Sequence, residues 1–408
     1  MTIMREDGSS RFPFQPNSPV DPRFFVGRKE LVEKVTRYSA GAFSRRNIRI
    51  VYLSGYRGIG KTSLARYCRR VIEQRMDSWG FHVYLGGIQS GPKKLEDFLV
   101  KTIRGILEAK SNEALPMKKI KEIFSHWILE IKVGVVTIKQ KELAESAPKD
   151  ASQLVTFFTE FGSRLYNRKQ QGFVLVFDEL DGVALEPFFA DFLKELLDSY
   201  RAVPLIILLC GTRDRFDAIK RNNSRAAQQM DLLELGLLKD REVEEFFYNA
   251  FNVAAQSVTA KGMDILIHFS GGHPHVMHLI GETALLTAER DKPIGEKEAY
   301  ECANVASDEW GHKFVGAKLM SLFQDSRHEN VLRELCRPNV DAVFSRSDLL
   351  KAIGVDEDRH VDQLLQRLHE YEVLERGRTR GEWRFSNPLT SLYMHRTWAS
   401  FRSGLKRG

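Results

Sequence analysis

The feature that most constrains this chain is an apolar run that ends in a glycine-rich loop. Residues Ile48–Gly55 are rich in β-branched side chains, which is typical of a strand buried on both faces of a sheet. The loop Gly55–Thr62 (GYRGIGKT) fits the pattern GxxxxGK followed by Ser or Thr, and a helical pattern runs from Lys61 to about Arg75. Together the strand, loop and helix predict a phosphate-binding loop in an α/β fold.

Each part of this loop has a predicted chemical role. Backbone N–H groups would surround phosphate oxygens, and the helix N-terminus adds a favourable dipole. Lys61 would reach the β- and γ-phosphates, and the Thr62 hydroxyl would bind Mg²⁺. The predicted phosphate-binding residues are Gly55, Gly58, Ile59, Gly60, Lys61, Thr62 and Ser63. A glycine-rich turn without function is the alternative, and the flanking strand and helix argue against it.

A second apolar run ends in acidic residues. Phe173–Leu180 (FVLVFDEL) places Asp178 and Glu179 at the carboxyl end of a predicted strand, where ligands bind in open α/β sheets. Asp178 would hold Mg²⁺ through water, and Glu179 would orient and deprotonate an attacking water molecule. This pair favours nucleotide hydrolysis over binding alone. The alternative is a strand end followed by an acidic helix cap.

Further apolar runs alternate with helical patterns. Phe81–Gly86 and Leu205–Thr212 are predicted strands, and Phe188–Tyr200 is a predicted helix between two of the strands. This alternation predicts a doubly wound parallel α/β sheet. The segment of about residues 95–150 is predicted to be an insertion between the second and third strands. It holds an amphipathic helix and then an alternating stretch, LEIKVGVVTIKQK, which is typical of strands broken at Gly134.

In these residues the chain resembles the AAA+ ATPases, and within them the origin-recognition (replication-initiator) type and the prokaryotic STAND switch ATPases. Phe25–Leu31 (FVGRKEL) is similar to the segment that lies against adenine in those families, which implies a nucleotide contact for Val26. Asp178–Asp181 resembles their Walker B ending, and Thr212 occupies the position of the polar sensor-1 residue. Gly271–Pro274 is similar to the GxP motif of their helical lid domain.

The resemblance implies that the chain binds ATP or ADP with Mg²⁺, hydrolyses ATP, and self-associates through its ATPase domain. Pro274 and His275 of the lid would contact the nucleotide, although His275 stands where initiator-type lids carry an arginine. A neutral imidazole cannot neutralise phosphate as a guanidinium does. Arg225 is the candidate arginine finger and Arg221 the second choice, and both could instead be ordinary surface arginines.

The last part of the chain has a different pattern. Helical patterns at His328–Arg337, Ser345–Ile353 and Glu357–Glu370 precede two short strands joined by a turn at residues 377–381. This order predicts a winged helix-turn-helix whose third helix is the recognition helix. The predicted nucleic-acid contacts are Arg359, Arg367, Arg376, Arg378 and Arg380. Acidic residues on the same helix, such as Asp362, oppose contact with DNA, and such a domain can also bind protein.

These patterns define four predicted regions and two candidate functions. The regions are an extended arm (residues 1–23), an AAA+ α/β domain (24–236), a helical lid (237–322) and a winged-helix domain (323–408). We expect an ATP-hydrolysing switch that oligomerises with nucleotide and acts on duplex DNA through its winged helix. The alternative is a STAND-like signalling or phage-defence ATPase whose winged helix contacts a protein partner.

The composition of the chain excludes several other classes of protein. The apolar stretch Val203–Cys210 is too short to cross a bilayer, and the N-terminus lacks the apolar core of a secretion signal. The four cysteines are scattered without a CxxC pair, which argues against a thiolate zinc site and favours a reducing compartment. The basic residues of the C-terminal tail account for the whole net charge of +7, which suits either phosphate contact or a solvated tail that aids solubility. We therefore expect a cytoplasmic protein that does not act at membranes.

Overall fold

The structure, a computed structural model, describes residues 12–88, 94–109, 122–125, 147–166, 171–199, 203–289, 292–337, 343–354, 359–377 and 379–405. It divides the chain into two compact units. The α/β unit comprises residues 28–236, and the helical unit comprises residues 1–27 together with 237–408. Residues 24–27, which the sequence analysis assigns to the α/β domain, are grouped with the helical unit.

The α/β unit alternates helices and strands. In chain order its elements are α1 (Lys29–Arg45), β1 (Ile48–Ser54), α2 (Lys61–Met76), β2 (Trp79–Tyr84), α3 (Lys94–Leu107), α4 (Ala151–Leu165), β3 (Phe173–Asp178), α5 (Pro187–Leu197), β4 (Leu205–Gly211), α6 (Arg213–Asn222), α7 (Ser224–Gln229) and β5 (Asp231–Glu234). Every residue of β3 and β4 is buried, as continuous apolar runs predict for strands covered on both faces.

The strands of this unit form one parallel sheet in the order β2-β3-β4-β1-β5. The predicted doubly wound parallel α/β fold is therefore confirmed. Because β4 lies between β3 and β1, the carboxyl ends of these three strands meet at one edge of the sheet. Ser54 of β1 pairs with Gly211 of β4, and Asp178 of β3 pairs with Cys210. This register brings the glycine loop and the acidic strand end side by side.

Two elements of the α/β unit differ from the sequence patterns. The sequence analysis missed β5, which is short and has an acidic residue at each end; Arg49 of β1 donates to its Asp231 at 2.6 Å. Helix α3 opens the predicted insertion, yet its Leu99 and Ile103 are fully buried in the core beside β2. This helix therefore belongs to the core of the sheet. The predicted strands around Gly134 lie outside the described residues.

The helical unit contains the remaining elements. They are α8 (Asp240–Ala254), α9 (Ala260–Ser270), α10 (Pro274–Thr287), α11 (Glu296–Trp310), α12 (Gly316–Phe323), α13 (Glu329–Leu335), β6 (Val343–Ser345), α14 (Arg346–Ile353), α15 (Arg359–Glu370), β7 (Leu374–Arg376), β8 (Glu382–Phe385) and α16 (Pro388–Leu405). A π-helical turn, Gly311–Val315, joins α11 to α12. Across the described part of the chain, no helix combines the length and apolar character needed to cross a membrane.

Residues 323–405, here called the C-terminal region, contain the predicted helices and hairpin. The hairpin gains a third strand that the sequence analysis missed, giving an antiparallel sheet in the order β6-β8-β7. Leu364, Leu365 and Leu368 of α15 are buried, whereas Arg359 and Arg367 are exposed. The amphipathic pattern of this helix thus separates an apolar inner face from a polar outer face, as expected.

Helix α16 connects two hydrophobic clusters of the helical unit. Leu389 near its start is buried with residues of α8 to α11, and Trp398 further along is buried with residues of the C-terminal region. Arg396 lies between them and donates to a carboxylate oxygen of Asp308 on α11 at 2.9 Å. The helix therefore packs against both parts of the unit and ties them together.

The N-terminal segment is anchored rather than extended into solvent. Phe14 is fully buried and packs in the helical unit with its ring 5.8 Å from that of Phe246 and 5.0 Å from that of Phe251. The backbone N–H of Gln15 donates to Nδ1 of the buried His278 at 3.1 Å. The prolines of this segment suggested only an arm, because its one deeply buried ring has no periodic neighbours in the sequence.

Candidate nucleotide-binding site

The glycine-rich loop connects β1 to α2 at the carboxyl edge of the sheet. Gly58 and Gly60 have φ values of 72° and 89°, in the left-handed region that side-chain-bearing residues adopt at a cost. Gly60 is the N-cap of α2, so Lys61, Thr62 and Ser63 form its first turn. In an α-helix the N–H groups of the first turn have no carbonyl of the preceding turn to donate to, and this is the arrangement that binds phosphate at a helix N-terminus.

Lys61 folds back over the loop. Its ammonium group donates to the carbonyl oxygens of Gly55 at 2.8 Å and Tyr56 at 2.7 Å. Burial lowers the pKa of Lys61, and the nearby carboxylates of Glu179 and Asp178 act in the opposite direction. The hydrogen-bond partners of this partly buried cation are neutral carbonyls, so an anionic phosphate is a favourable partner for it.

Thr62 and Asp178 meet between the loop and β3. The Thr62 hydroxyl donates to Oδ1 of Asp178 at 3.0 Å, and Nε2 of His82 on β2 lies 3.2 Å from Oδ2 of the same carboxylate. Asp178 is 3% exposed. A hydroxyl and a carboxylate side by side suit Mg²⁺, which prefers oxygen ligands and takes few of them from protein when phosphates supply others. Among the described residues, no cluster of three or more His, Cys, Asp or Glu offers a metal site made of protein alone.

Glu179 follows Asp178 in a strained backbone conformation. Its φ is 61°, and its backbone N–H donates to Oδ1 of Asp178 at 3.1 Å. Left-handed backbone at a residue other than glycine costs on the order of 1 kcal/mol, and such strain concentrates at functional sites. Burial raises the pKa of Glu179, and its hydrogen bond with Asp181 acts in the same direction. A carboxylate with a raised pKa is better suited to accept a proton.

Three residues that the sequence analysis gave no role lie beside Glu179. Arg57, within the glycine loop, is 3.0 Å from Oδ2 of Asp181 and 3.6 Å from Oε1 of Glu179. Nε of Arg215 on α6 lies 3.3 Å from Oδ1 of Asp181. Burial alone would raise the pKa of Asp181, but hydrogen bonds with Glu179, Arg215 and Arg57 lower it on balance. The sequence signals that could have indicated these contacts are an arginine inside the glycine loop and another arginine shortly after β4.

His82 was also missed, although a sequence signal existed for it. It is the one basic side chain in the run FHVYLG, whose other residues are typical of a strand. A titratable side chain within an apolar strand needs a partner, and here the partner is Asp178.

The remaining predicted residues of the α/β unit lie on α6 and α7. Thr212 immediately follows β4 and is the N-cap of α6; its carbonyl oxygen accepts from the Tyr52 hydroxyl at 2.9 Å. The position of β4 between β1 and β3 places Thr212 at the same sheet edge as the loop. Arg221 and Arg225 are both exposed, on α6 and α7. Hydrogen bonds with Gln229 and Lys194 lower the pKa of Asp198, and the charge of Arg225 acts in the same direction.

The predicted nucleotide contacts of the helical unit occupy two places in it. Val26 is partly buried against the hydrophobic cluster that contains Phe14. Pro274 is the first residue of α10, and the ring of His275 lies 5.5 Å from Trp310 and 5.6 Å from Phe314. Burial by these rings lowers the pKa of His275, so the imidazole is neutral near pH 7.

The basic residues of the C-terminal region differ in their surroundings. Arg359, Arg367 and Arg380 are exposed. Arg376 stacks its guanidinium 3.9 Å from the centre of the Trp383 ring and donates to Gln366 of α15 at 3.2 Å. Arg378 lies outside the described residues.

Comparison with known proteins gives one family and several similar structures. Residues 25–208 match the family model of the AAA ATPase domain, and no curated protein matches the chain. The ORC2 protein of Aeropyrum pernix, solved as ADPNP–ADP complexes, has a TM-score of 0.52 at 14% identity, covering 93% of this chain and 95% of that one. The ORC1 protein of Aeropyrum pernix in complex with DNA has a TM-score of 0.48 at 14% identity, covering 96% of both chains. The RuvB Holliday junction branch migration motor of Thermotoga maritima has a TM-score of 0.44 at 15% identity, covering 91% and 95%.

The family match and the geometry point the same way. The matched residues contain the glycine loop, all of β1 to β3 and most of β4, which are the elements that meet at the carboxyl edge of the sheet. The likeness to the ORC2 protein shows a shared fold that covers 93% of this chain. Residues 25–208 therefore form an AAA ATPase domain.

Proposed function

We propose that the chain binds and hydrolyses ATP at the sheet edge and uses the nucleotide to control self-association and contact with duplex DNA. The observation that supports the site is the hydrogen bond of 3.0 Å between Thr62 and Asp178, with Glu179 directly after it. Two sequence-distant motifs meet there at a distance that only the sheet register provides. Lys61 would bind the β- and γ-phosphates, and Thr62 with Asp178 would hold Mg²⁺.

The residues divide the work of hydrolysis. Bound Mg²⁺ supplies positive charge that stabilises the phosphate oxygens. Glu179 orients a water molecule and takes its proton as the water oxygen attacks the γ-phosphorus, and ADP leaves. Thr212 follows β4 at the same sheet edge and would donate a hydrogen bond to the γ-phosphate or the attacking water.

ATP binding is the first test of this proposal. Lys61→Ala should abolish binding of ATP measured by calorimetry in the presence of Mg²⁺, because it removes the cation for the phosphates. Lys220→Ala, which removes an exposed lysine of α6, is the matched control and should bind ATP normally. Binding of ATP by Lys61→Ala with unchanged affinity would place the nucleotide elsewhere.

Self-association is proposed through Arg225. Its exposure on α7 leaves the guanidinium accessible to a neighbouring subunit. If it acts as an arginine finger, Arg225→Ala should lower ATP turnover while leaving ATP affinity intact, and the turnover of the natural protein should rise with its concentration. A monomer by light scattering whose turnover is independent of concentration contradicts this role.

Contact with DNA is proposed through α15 and the β7–β8 hairpin. Arg359 and Arg367 lie on the exposed face of α15, and Arg346 pairs with one acidic residue of that helix by donating to Asp362 at 2.5 Å and 2.9 Å. This pairing neutralises one of the acidic side chains that oppose contact with nucleic acid. We also propose that the nucleotide contacts Val26, Pro274 and His275 of the helical unit.

The test for DNA is a mobility-shift titration on duplex DNA across salt concentrations, with ATP, ADP and no nucleotide. Replacing Arg367 and Arg380 with alanine should weaken binding and flatten the slope of log affinity against log salt by about two units. Replacing Lys261 and Lys297, exposed lysines on α9 and α11, is the matched control and should leave the slope unchanged.

A protein-binding switch is the second candidate, and one observation favours it. Three arginines of the C-terminal region have partners within that region. Arg376 stacks on Trp383, Arg346 pairs with Asp362, and Arg384 pairs with Glu375. These internal contacts reduce the positive charge offered to phosphate. Absence of duplex binding at low salt in every nucleotide state would favour this candidate over the DNA-binding function.

A further inference from the structure

Arg57 is the residue of the glycine loop whose side chain the phosphate-binding pattern leaves unexplained. It follows Tyr56, whose carbonyl oxygen accepts the Lys61 ammonium at 2.7 Å, so it leaves the backbone beside the group that binds the β- and γ-phosphates. Its guanidinium reaches the other wall of the site, 3.6 Å from Glu179 and 3.0 Å from Asp181.

This position fixes which phosphate Arg57 can reach. Glu179 must face the water molecule that attacks the terminal phosphate, because a general base has to lie within hydrogen-bond distance of the proton it takes. A guanidinium 3.6 Å from Glu179 therefore lies next to the space of the terminal phosphate.

The contact of Arg57 with Asp181 is easily exchanged. The Arg57 side chain is 68% exposed, and an ion pair of that exposure contributes little to stability. Asp181 has a second guanidinium partner in Arg215, 3.3 Å away, so it keeps a cation when Arg57 leaves. A terminal phosphate carries more charge than a carboxylate and accepts the planar guanidinium through two hydrogen bonds.

We propose that Arg57 reads the terminal phosphate: its guanidinium rests on Asp181 and moves to the γ-phosphate when ATP binds, which makes the site discriminate ATP from ADP. This inference rests on the proposed nucleotide site and adds a specificity-determining residue to it. Asp181 is the resting partner, and Arg215 keeps that carboxylate paired in both arrangements. Lys61 reaches both the β- and the γ-phosphate, so it also binds ADP through the β-phosphate that both nucleotides carry.

The experiment compares two nucleotides on the full chain. Calorimetry with Mg²⁺ gives the dissociation constants of ADP and of the non-hydrolysable analogue ADPNP for the natural protein, Arg57→Ala and Arg57→Lys. Arg57→Ala should bind ADPNP about tenfold more weakly while its ADP affinity stays unchanged, since only ADPNP has the group that the guanidinium contacts. Arg57→Lys, which keeps the charge but loses the planar fork, should fall between the two.

Matched variants separate this role from general electrostatics. Arg70→Ala removes an exposed arginine of α2 and should leave both affinities unchanged. Asp181→Asn removes the resting partner and should keep or strengthen ADPNP binding. Thermal melting of each variant without nucleotide checks that the fold is intact.

Each result decides the question. Equal weakening of both nucleotides by Arg57→Ala, or no change in either, overturns the discriminating role and leaves the proposed nucleotide site standing. Failure of the natural protein to bind either nucleotide overturns the proposed function and this inference with it. A selective loss of ADPNP affinity supports the inference.

Discussion

Asp178 in the α/β unit and His278 in the helical unit are both buried, with exposures of 3% and 7%, but their surroundings differ. Asp178 has the Thr62 hydroxyl on one oxygen and His82 on the other, and the Lys61 ammonium is close enough to interact with its charge. The His278 ring packs 4.8 Å from Phe246 and has the backbone N–H of Gln15 as its polar partner.

The difference separates two reasons for burying an ionisable group. Around Asp178 a hydroxyl, an imidazole and an ammonium group lie close together, at the site that we propose binds a cation and phosphates. Around His278 the aromatic rings exclude charge, and burial lowers its pKa to about 4. The first group is arranged for ligand chemistry and the second for packing. Variants in the two units should therefore fail in different assays.

Phe14→Ala should have the largest effect and should act on stability. The fully buried ring fills the helical unit between Phe246, Phe247 and Phe251, so its loss leaves a cavity. We expect the free energy of unfolding to fall by about 3 kcal/mol or more, measured by urea denaturation. Tyr248→Ala, at a position of α8 that is 63% exposed, should change it by less than about 0.5 kcal/mol. Equal effects of the two would show that the N-terminal segment is not part of the core.

Glu179→Gln should act on turnover instead. It removes the proposed base but keeps the shape and hydrogen-bonding size of the side chain, so ATP binding should persist. Steady-state turnover should fall by about a hundredfold or more. Glu108→Gln, an exposed position just after α3, should leave turnover unchanged. Unchanged turnover in Glu179→Gln would remove the assigned role of this carboxylate.

His278 makes the helical unit sensitive to acid. The unfolded chain takes up a proton at this residue near pH 6.5, whereas the folded chain resists it until about pH 4. The unfolded state therefore binds more protons between these values, and stability falls as pH decreases through this window. From pH 7 to pH 5 the loss should be about 2 kcal/mol.

The matched variant for this pH effect is His278→Gln, which keeps an acceptor for the Gln15 N–H but does not titrate. Its stability should be nearly independent of pH over the same range, apart from contributions of other groups shared with the natural protein. Urea denaturation at both pH values measures the difference. Parallel losses in both proteins would show that His278 is not the titrating group.

His82→Ala should give the smallest effect and tests the ionic side of the comparison. His82 holds one oxygen of Asp178 and so orients the carboxylate proposed to bind Mg²⁺. Residues that orient metal ligands typically change metal affinity by tenfold or more, and we expect about a tenfold weaker apparent affinity for Mg²⁺ in nucleotide binding. His268→Ala, an exposed histidine of α9, is the control. A purely structural role of His82 would lower the melting temperature without this change in Mg²⁺ dependence.

The motifs at the sheet edge were predictable because their chemistry is carried by consecutive residues. Gly55–Thr62 and Phe173–Glu179 each contain the end of a strand and the polar groups that follow it. Because the carboxyl ends of parallel strands lie at one edge of a sheet, the sequence already predicted that the two motifs share that edge. Arg57 and His82 acquired roles only when the sheet brought Asp181 and Asp178 opposite them. Their partners are distant in sequence, and no periodic pattern records such pairs.

The helical unit shows the opposite balance. The helical spacing of the leucines in α15 correctly predicted its buried face, because amphipathic periodicity is a local property of the sequence. The strand β6, the anchoring of Phe14 and the packing of α16 were not predicted. Each depends on a surface formed by residues far along the chain.

By itself, the sequence determined the parallel α/β fold, the phosphate-binding loop and the acidic strand end, since local periodicity and backbone-specific residues encode them. The tertiary structure alone decided which charges are paired. Arg346 with Asp362, Arg376 with Trp383 and Arg57 with Asp181 are contacts between segments that the chain brings together only on folding. The electrostatic energy of a charged side chain depends on its burial and on the groups within a few ångströms of it. Which groups these are depends on the folded structure, so the interactions of a charge cannot be predicted from its position in the sequence.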